Sequence, residues 1–126
     1  FLRAEKVERV ADFISKQEIY GDESGDLLVI GWGGTYGSLY TAVKELREEG
    51  KQVSLAHFNY INPLPKNTAE IFKNFKNIVV CELNNGQFVD LLKSKHDTFQ
   101  FKQFNRIQGL PFKTTDLKEH FNTLIS

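Results

Sequence analysis

Methionine is absent from the 126 residues, and cysteine occurs once, at Cys81. A lone thiol excludes an internal disulfide framework and leaves too few thiolates for a zinc ribbon or an iron–sulfur cluster held by this chain. Excess charge is missing as well. The 16 basic residues balance 16 acidic ones, so no net field favours nucleic acid or an anionic membrane surface. No apolar run approaches the roughly 20 residues that cross a bilayer, and Phe1 to Val10 lack the apolar centre of a secretory signal. A cytoplasmic protein is expected, without nucleic-acid or membrane partners. Taken with Phe1 in first place, the lack of methionine predicts a sequence that begins inside a longer gene product.

What is present suffices for one domain, since 126 residues with 40% hydrophobic content can enclose one sizeable core. Val7, Val10, Ala11 and Ile14 keep the rhythm of an amphipathic helix, which predicts a leading helix over residues 1–16 ahead of an α/β core over 17–126. Gln17 to Tyr20 reads as a short edge strand, stopped by the turn chemistry of Gly21, Asp22, Ser24 and Gly25. Leu27 to Trp32, Val53 to Phe58 and Ile78 to Leu83 are apolar runs of the kind that fill strands covered on both faces. Phe99 to Phe104 alternates as a marginal strand, where Lys102 discourages edge pairing.

Helices fall between these runs. Leu39, Ala42, Val43 and Leu46 mark one that stops at Gly50. Ile71, Phe72 and Phe75 mark a second, whose start at Asn67 and Glu70 reads as an Asn-x-x-Glu capping box. Phe88, Leu91 and Leu92 mark a third, and Leu117, Phe121 and Leu124 a terminal one. Regular alternation predicts a three-layer α/β/α domain with a mainly parallel sheet. Ligands and partners of such sheets meet the carboxyl ends of the strands, here Gly33 to Gly37, Asn59 to Pro65 and Asn84 to Gln87.

The glycine-rich stretch fails each nucleotide test. Gly31 and Gly33 begin a G-x-G-x-x-G, but Tyr36 stands where the third glycine belongs, and no Asp or Glu lies between residues 51 and 60 to hold a ribose. A P-loop pattern is missing. Gly33-Gly34-Thr35-Tyr36-Gly37 has the outline of a nucleophile elbow, yet a β-branched Thr35 tolerates the strained central position poorly. A turn with Thr35 or Ser38 capping the helix is the simpler reading. His57, His96 and His120 show no ligand spacing, and Cys81 lies among Val79, Val80 and Leu83 as a small hydrophobe. Glu82, Asn84, Asn85 and Gln87 sit where a strand gives way to a helix, a place for ligand binding or for capping. The eleven phenylalanines fill a core and leave room for an apolar docking face.

In order, Leu28-Val29-Ile30-Gly31-Trp32-Gly33, Thr35-Tyr36-Gly37, Asn62-Pro63-Leu64-Pro65, Glu82-Leu83-Asn84-Asn85-Gly86-Gln87 and Asn105-Arg106-Ile107-Gln108-Gly109-Leu110-Pro111-Phe112 form a series that spans about the whole chain. The series resembles the C-terminal domain of the alpha subunit of 2-oxoacid:ferredoxin oxidoreductases, with the 2-oxoglutarate type nearest. Gly34 departs from the serine the family often has, and Cys81 from its proline. The resemblance implies a transketolase C-terminal-like fold: a five-stranded sheet with Gln17 to Tyr20 as an antiparallel edge strand.

It also implies a parent enzyme that uses thiamine diphosphate, magnesium, an iron–sulfur cluster and coenzyme A to convert 2-oxoglutarate to succinyl-CoA while reducing ferredoxin. Other domains and the beta subunit would hold the thiamine diphosphate and the cluster. The expectation is then one domain over 1–126, excised from a longer subunit, inactive alone and binding no cofactor. Its partners would be the remaining alpha-subunit domains, the beta subunit and, through the complex, ferredoxin. Gly33, Gly34, Thr35, Tyr36, Gly37, Asn84, Asn85, Gly86 and Gln87 are the candidate ligand or subunit contacts, with no catalytic or metal residue among them. The competing readings are the equivalent domain of another thiamine diphosphate enzyme and a free-standing small-molecule or nucleotide binding module.

Overall fold

The apolar run that opens at Leu27 becomes an inner strand, buried from both sides. In the computed structural model, which describes residues 16–32, 36–58, 65–82, 87–105 and 113–125, it belongs to β1 (Gly25–Trp32). There follow α1 (Tyr36–Glu48), β2 (Val53–Phe58), α2 (Thr68–Lys73), β3 (Phe75–Glu82), α3 (Gln87–Lys95), β4 (Lys102–Asn105) and α4 (Thr114–Ile125). The expected leading helix falls, apart from Lys16, outside the described residues.

The sheet order is β2-β1-β3-β4, and every pairing is parallel. Val29 of β1 lies between Leu55 of β2 and Val79 of β3. Side chains alternate across a strand, and here both sides are apolar because helices cover both. Leu27, Val29, Leu55 and Val79 pack with Leu39, Val43 and Leu46 of α1 and with Leu117 and Phe121 of α4. Leu28, Ile30, Phe58 and Val80 face Ile71 and Phe72 of α2 and Phe88, Val89 and Leu92 of α3. Each such side chain, fully buried, contributes about 1.5–3 kcal/mol. This is the expected three-layer arrangement.

Four strands, not five, form the sheet among the described residues, and the antiparallel edge strand is not there. Only Tyr20 pairs, in a single antiparallel bridge to Leu55 whose two backbone hydrogen bonds measure 2.8 and 2.9 Å. The physical reason lies in who satisfies the edge of β2. Alternate residues of a strand point their backbone groups to the same neighbour, so Val53, Leu55 and His57 face outward together. The carbonyl of Val53 accepts from the Arg47 guanidinium (3.0 Å), that of Leu55 from the Tyr20 N–H, and that of His57 from the Gln17 side-chain amide (2.8 Å). Two side chains and one backbone group thus replace a ladder.

The capping box is also corrected. Asn67 precedes α2 but makes no side-chain cap. Its amide turns to Gln17, accepting from the backbone N–H (2.7 Å) and donating to the backbone carbonyl (3.0 Å). The Thr68 hydroxyl donates to the Pro65 carbonyl instead. At the other margin, pairing begins at Lys102, later than the expected Phe99. Phe99 and Phe101 are held edge-on against Phe72, with ring centroids 5.5 and 5.3 Å away, and that contact draws the chain off the sheet line.

Candidate functional site

At the carboxyl end of β3 stands Glu82, buried and the last residue of its strand. Its two carboxylate oxygens accept the backbone N–H groups of Phe88 (2.7 Å) and Val89 (3.1 Å). These amides lie in the first turn of α3, where a helix supplies no partner of its own, and the negative charge meets the positive end of the helix dipole. Of the two roles open to Glu82 in the sequence, the structure assigns capping. The arrangement has a chemical consequence. The anion-binding amides at the start of α3 are already filled by the protein's own carboxylate.

Aromatic residues gather instead between α1 and the edge strand β2. Tyr36, the first residue of α1, stacks on Tyr40 one turn later at 5.7 Å and meets His57 of β2 edge-on at 5.1 Å. Tyr40 in turn packs on Tyr20 at 4.7 Å. Partial burial and the neighbouring Tyr40 push the Tyr20 phenol above its ordinary pKa. Tyr36 is 48% exposed, the one large apolar side chain left so among the described residues. Of the phenylalanines described, Phe58, Phe72, Phe75, Phe88, Phe101 and Phe121 are buried and Phe99 and Phe104 are half-buried.

Among the expected contacts, the structure therefore places Tyr36 and Gly37 on the first turn of α1, and the backbone of Gln87 at the start of α3. Gly33, Gly34, Thr35, Asn84, Asn85 and Gly86 lie outside the described residues. Sequence reasoning missed the grouping of Tyr20, Tyr40 and His57 around Tyr36. The signal available was Tyr36 and Tyr40 at i, i+4, which share a helix face.

The remaining reactive groups are built into the fold. Cys81 is fully buried, and burial, with the adjacent Glu82 second, pushes its thiol well above the ordinary range, leaving an inert hydrophobe. His96 packs edge-on against Phe72 at 5.4 Å, and His120 stacks on Phe104 at 4.3 Å. A groove of about 540 Å³ runs between the edge segment and α2, with Glu18, Glu23 and Glu70 against Lys16. Three carboxylates to one ammonium make it a poor receptacle for a phosphate.

The sequence matches the family described as pyruvate:ferredoxin oxidoreductase core domain II over residues 25–119. The chain belongs to that family. It is 34% identical over 98 residues to the 2-oxoglutarate oxidoreductase subunit KorA of Mycobacterium tuberculosis, covering 76% of this chain and 15% of that one. A solved 2-oxoglutarate:ferredoxin oxidoreductase from Magnetococcus marinus, with 2-oxoglutarate, coenzyme A and succinyl-CoA bound, superimposes with a TM-score of 0.87 at 24% identity over 94% of this chain and 21% of that one. A split-gene transketolase, an inactive beta4 tetramer, gives 0.62 at 12% identity over 86% and 41%. The two structures show the shared transketolase-like fold. The chain thus spans about a seventh of the length of that KorA subunit.

The sequence resemblance implies a magnesium-bound diphosphate and an iron–sulfur cluster in a parent enzyme. A magnesium diphosphate needs clustered oxygen donors, and a cluster needs thiolates. Among the described residues no three His, Cys, Asp or Glu side chains gather as a metal site, the one thiol is buried, and the Glu82 carboxylate faces amides. These residues do not fit either group. No helix among them is long and apolar enough to cross a membrane.

Proposed function

We propose that this chain is a non-catalytic assembly domain of a 2-oxoacid:ferredoxin oxidoreductase of the 2-oxoglutarate type, packing against the domain that holds thiamine diphosphate. The family match across 25–119 carries the reading, since the segment makes up only 15% of the KorA relative. Geometry supports it. Among the described residues, Glu82 caps α3, Cys81 fills the core, and His96 and His120 pack on phenylalanines.

In this reading the contacts expected from the sequence, residues 33–37 and 84–87, meet the alpha-subunit remainder and the beta subunit. Thiamine diphosphate, magnesium and the iron–sulfur cluster belong to those partners, and ferredoxin meets the complex rather than this chain.

Two measurements test the proposal together. The isolated chain, supplied with 2-oxoglutarate, coenzyme A, thiamine diphosphate, magnesium and a viologen acceptor, should reduce no acceptor. The tagged chain, co-expressed with the other polypeptides of the oxidoreductase from the same source, should capture them. Turnover by the chain alone, or a folded chain that captures nothing, overturns the reading.

A further inference from the structure

Nothing among the described residues requires glycine at position 37. Of the glycines whose surroundings are described, Gly21 and Gly50 have φ of +112° and +88°, which side chains disfavour, and a Cβ at Gly25 would come 3.0 Å from the Gln52 carbonyl. Gly37 has neither excuse. It sits in the first turn of α1, is exposed, and a Cβ built there would meet nothing within 4 Å. Glycine loses more conformational freedom on folding than any other residue, and it is used where another backbone or a ligand must come close.

The residue before it is Tyr36, the one exposed large apolar side chain among those described. The ring is held in place by Tyr40 and His57. A rigid, amphipathic aromatic next to a bare stretch of backbone has the form of a contact anchor.

We infer that Tyr36 and Gly37 form the point at which the rest of a 2-oxoacid:ferredoxin oxidoreductase alpha subunit closes on this domain, its backbone passing over Gly37 and its apolar side chains against the Tyr36 ring. The inference rests on the assembly role proposed above. Two observations select that occupant. The KorA relative is a chain of which the matched segment is 15%, so most of that relative lies outside the matched segment. One exposed aromatic also falls far short of the roughly 1,000 Å² that lets separate copies associate stably, whereas contacts between domains of one subunit are smaller and more polar.

The test separates this contact from the assembly role. The tagged chain and its Tyr36→Ala, Gly37→Ala, Gly37→Gln and Lys95→Ala variants are co-expressed with the remaining polypeptides, and the captured amounts, the affinities and the melting temperature of each free chain are measured. Gly37→Ala should raise the free chain's Tm by about 2 °C while weakening capture, which a purely structural glycine would not do. Tyr36→Ala and Gly37→Gln should weaken binding at least about tenfold, and Lys95→Ala, at an exposed side chain in the last turn of α3, should leave it unchanged.

Capture by the parent chain with no loss in the Tyr36 and Gly37 variants overturns the contact and leaves the assembly role standing. No capture by the parent chain overturns the assembly role itself. Self-association of the free chain that Tyr36→Ala abolishes reassigns the patch to a second copy and overturns the occupant inferred here.

Discussion

Glu82 and Phe88 are joined by a 2.7 Å hydrogen bond from a helix amide to a buried carboxylate, and the second carboxylate oxygen takes the N–H of Val89 at 3.1 Å. The strand that ends at Glu82 thereby fixes where α3 begins. A charged acceptor inside the fold is sustained because both oxygens face donors at the positive end of a helix.

Replacing that carboxylate should cost stability. Glu82→Ala leaves two buried amides without their acceptor, and the loss should be about 2–3 kcal/mol. Glu82→Gln keeps one acceptor oxygen but turns an NH₂ group toward the helix amides, so it should also lose about 1–2 kcal/mol. Urea unfolding followed by circular dichroism would show the midpoint falling with an unchanged slope. A midpoint equal to that of the parent chain would remove Glu82 from the clamp role.

Stability should decline as the medium is acidified below about pH 6.5. Burial, and then the nearby Lys95, lowers the pKa of His96; burial, and then Lys102, lowers that of His120. A histidine whose folded pKa lies below its unfolded value binds fewer protons when folded, so its contribution is intact above the unfolded pKa. It is lost as the pH falls from there through the folded pKa. Urea midpoints at pH 7.5 and pH 5 would show the decline. His120→Phe, which retains a ring against Phe104, should flatten part of it; an unaltered pH dependence in that variant would discharge His120 from the effect.

The edge of β2 predicts a local response. Asn67→Leu removes both hydrogen bonds to the Gln17 backbone and should cost about 1–2 kcal/mol. The same substitution loosens the segment that carries Tyr20, so the amides of Tyr20 and Leu55, which bond one another's carbonyls, should exchange with solvent at least about tenfold faster while those of Val29 and Val79 keep their protection. Uniform acceleration across the sheet would mean that Asn67 supports the whole domain rather than its margin.

How much of this was legible beforehand depends on the range of the interactions. β1, β2 and β3 could be read from runs such as Leu27 to Ile30, because burial on both faces leaves a mark in adjacent residues. Gln17 to Tyr20 and Asn67 defeated the same reading. The chain alternates suitably at the former, and Asn67 is followed by Glu70 in the right place, but each is decided by a partner 50 residues away in the case of Gln17 and Asn67. Glu82 was ambiguous for a related reason. A carboxylate closing an apolar strand is visible in the sequence, while the amides it serves are named only once α3 is placed. Tyr36 and Gly37 were singled out through their motif, and their exposure required the packing of α1 against β2.

Cys81 should be silent toward thiol reagents until the domain opens. The side chain is wholly buried in β3, packed with Val79 and Leu117, and the thiolate that reacts is suppressed by burial first and by the neighbouring Glu82 second. Native labelling by a disulfide reagent at pH 8 should then be at least about a hundredfold slower than in urea-unfolded chain, with a rate limited by opening of the core. Glu82→Ala tests the link between the two residues. Loss of the α3 clamp makes opening more frequent, so labelling should accelerate by the factor by which the opening equilibrium shifts, about tenfold for each 1.4 kcal/mol lost, whereas fast labelling of the parent chain under native conditions would show a thiol that solvent reaches without opening.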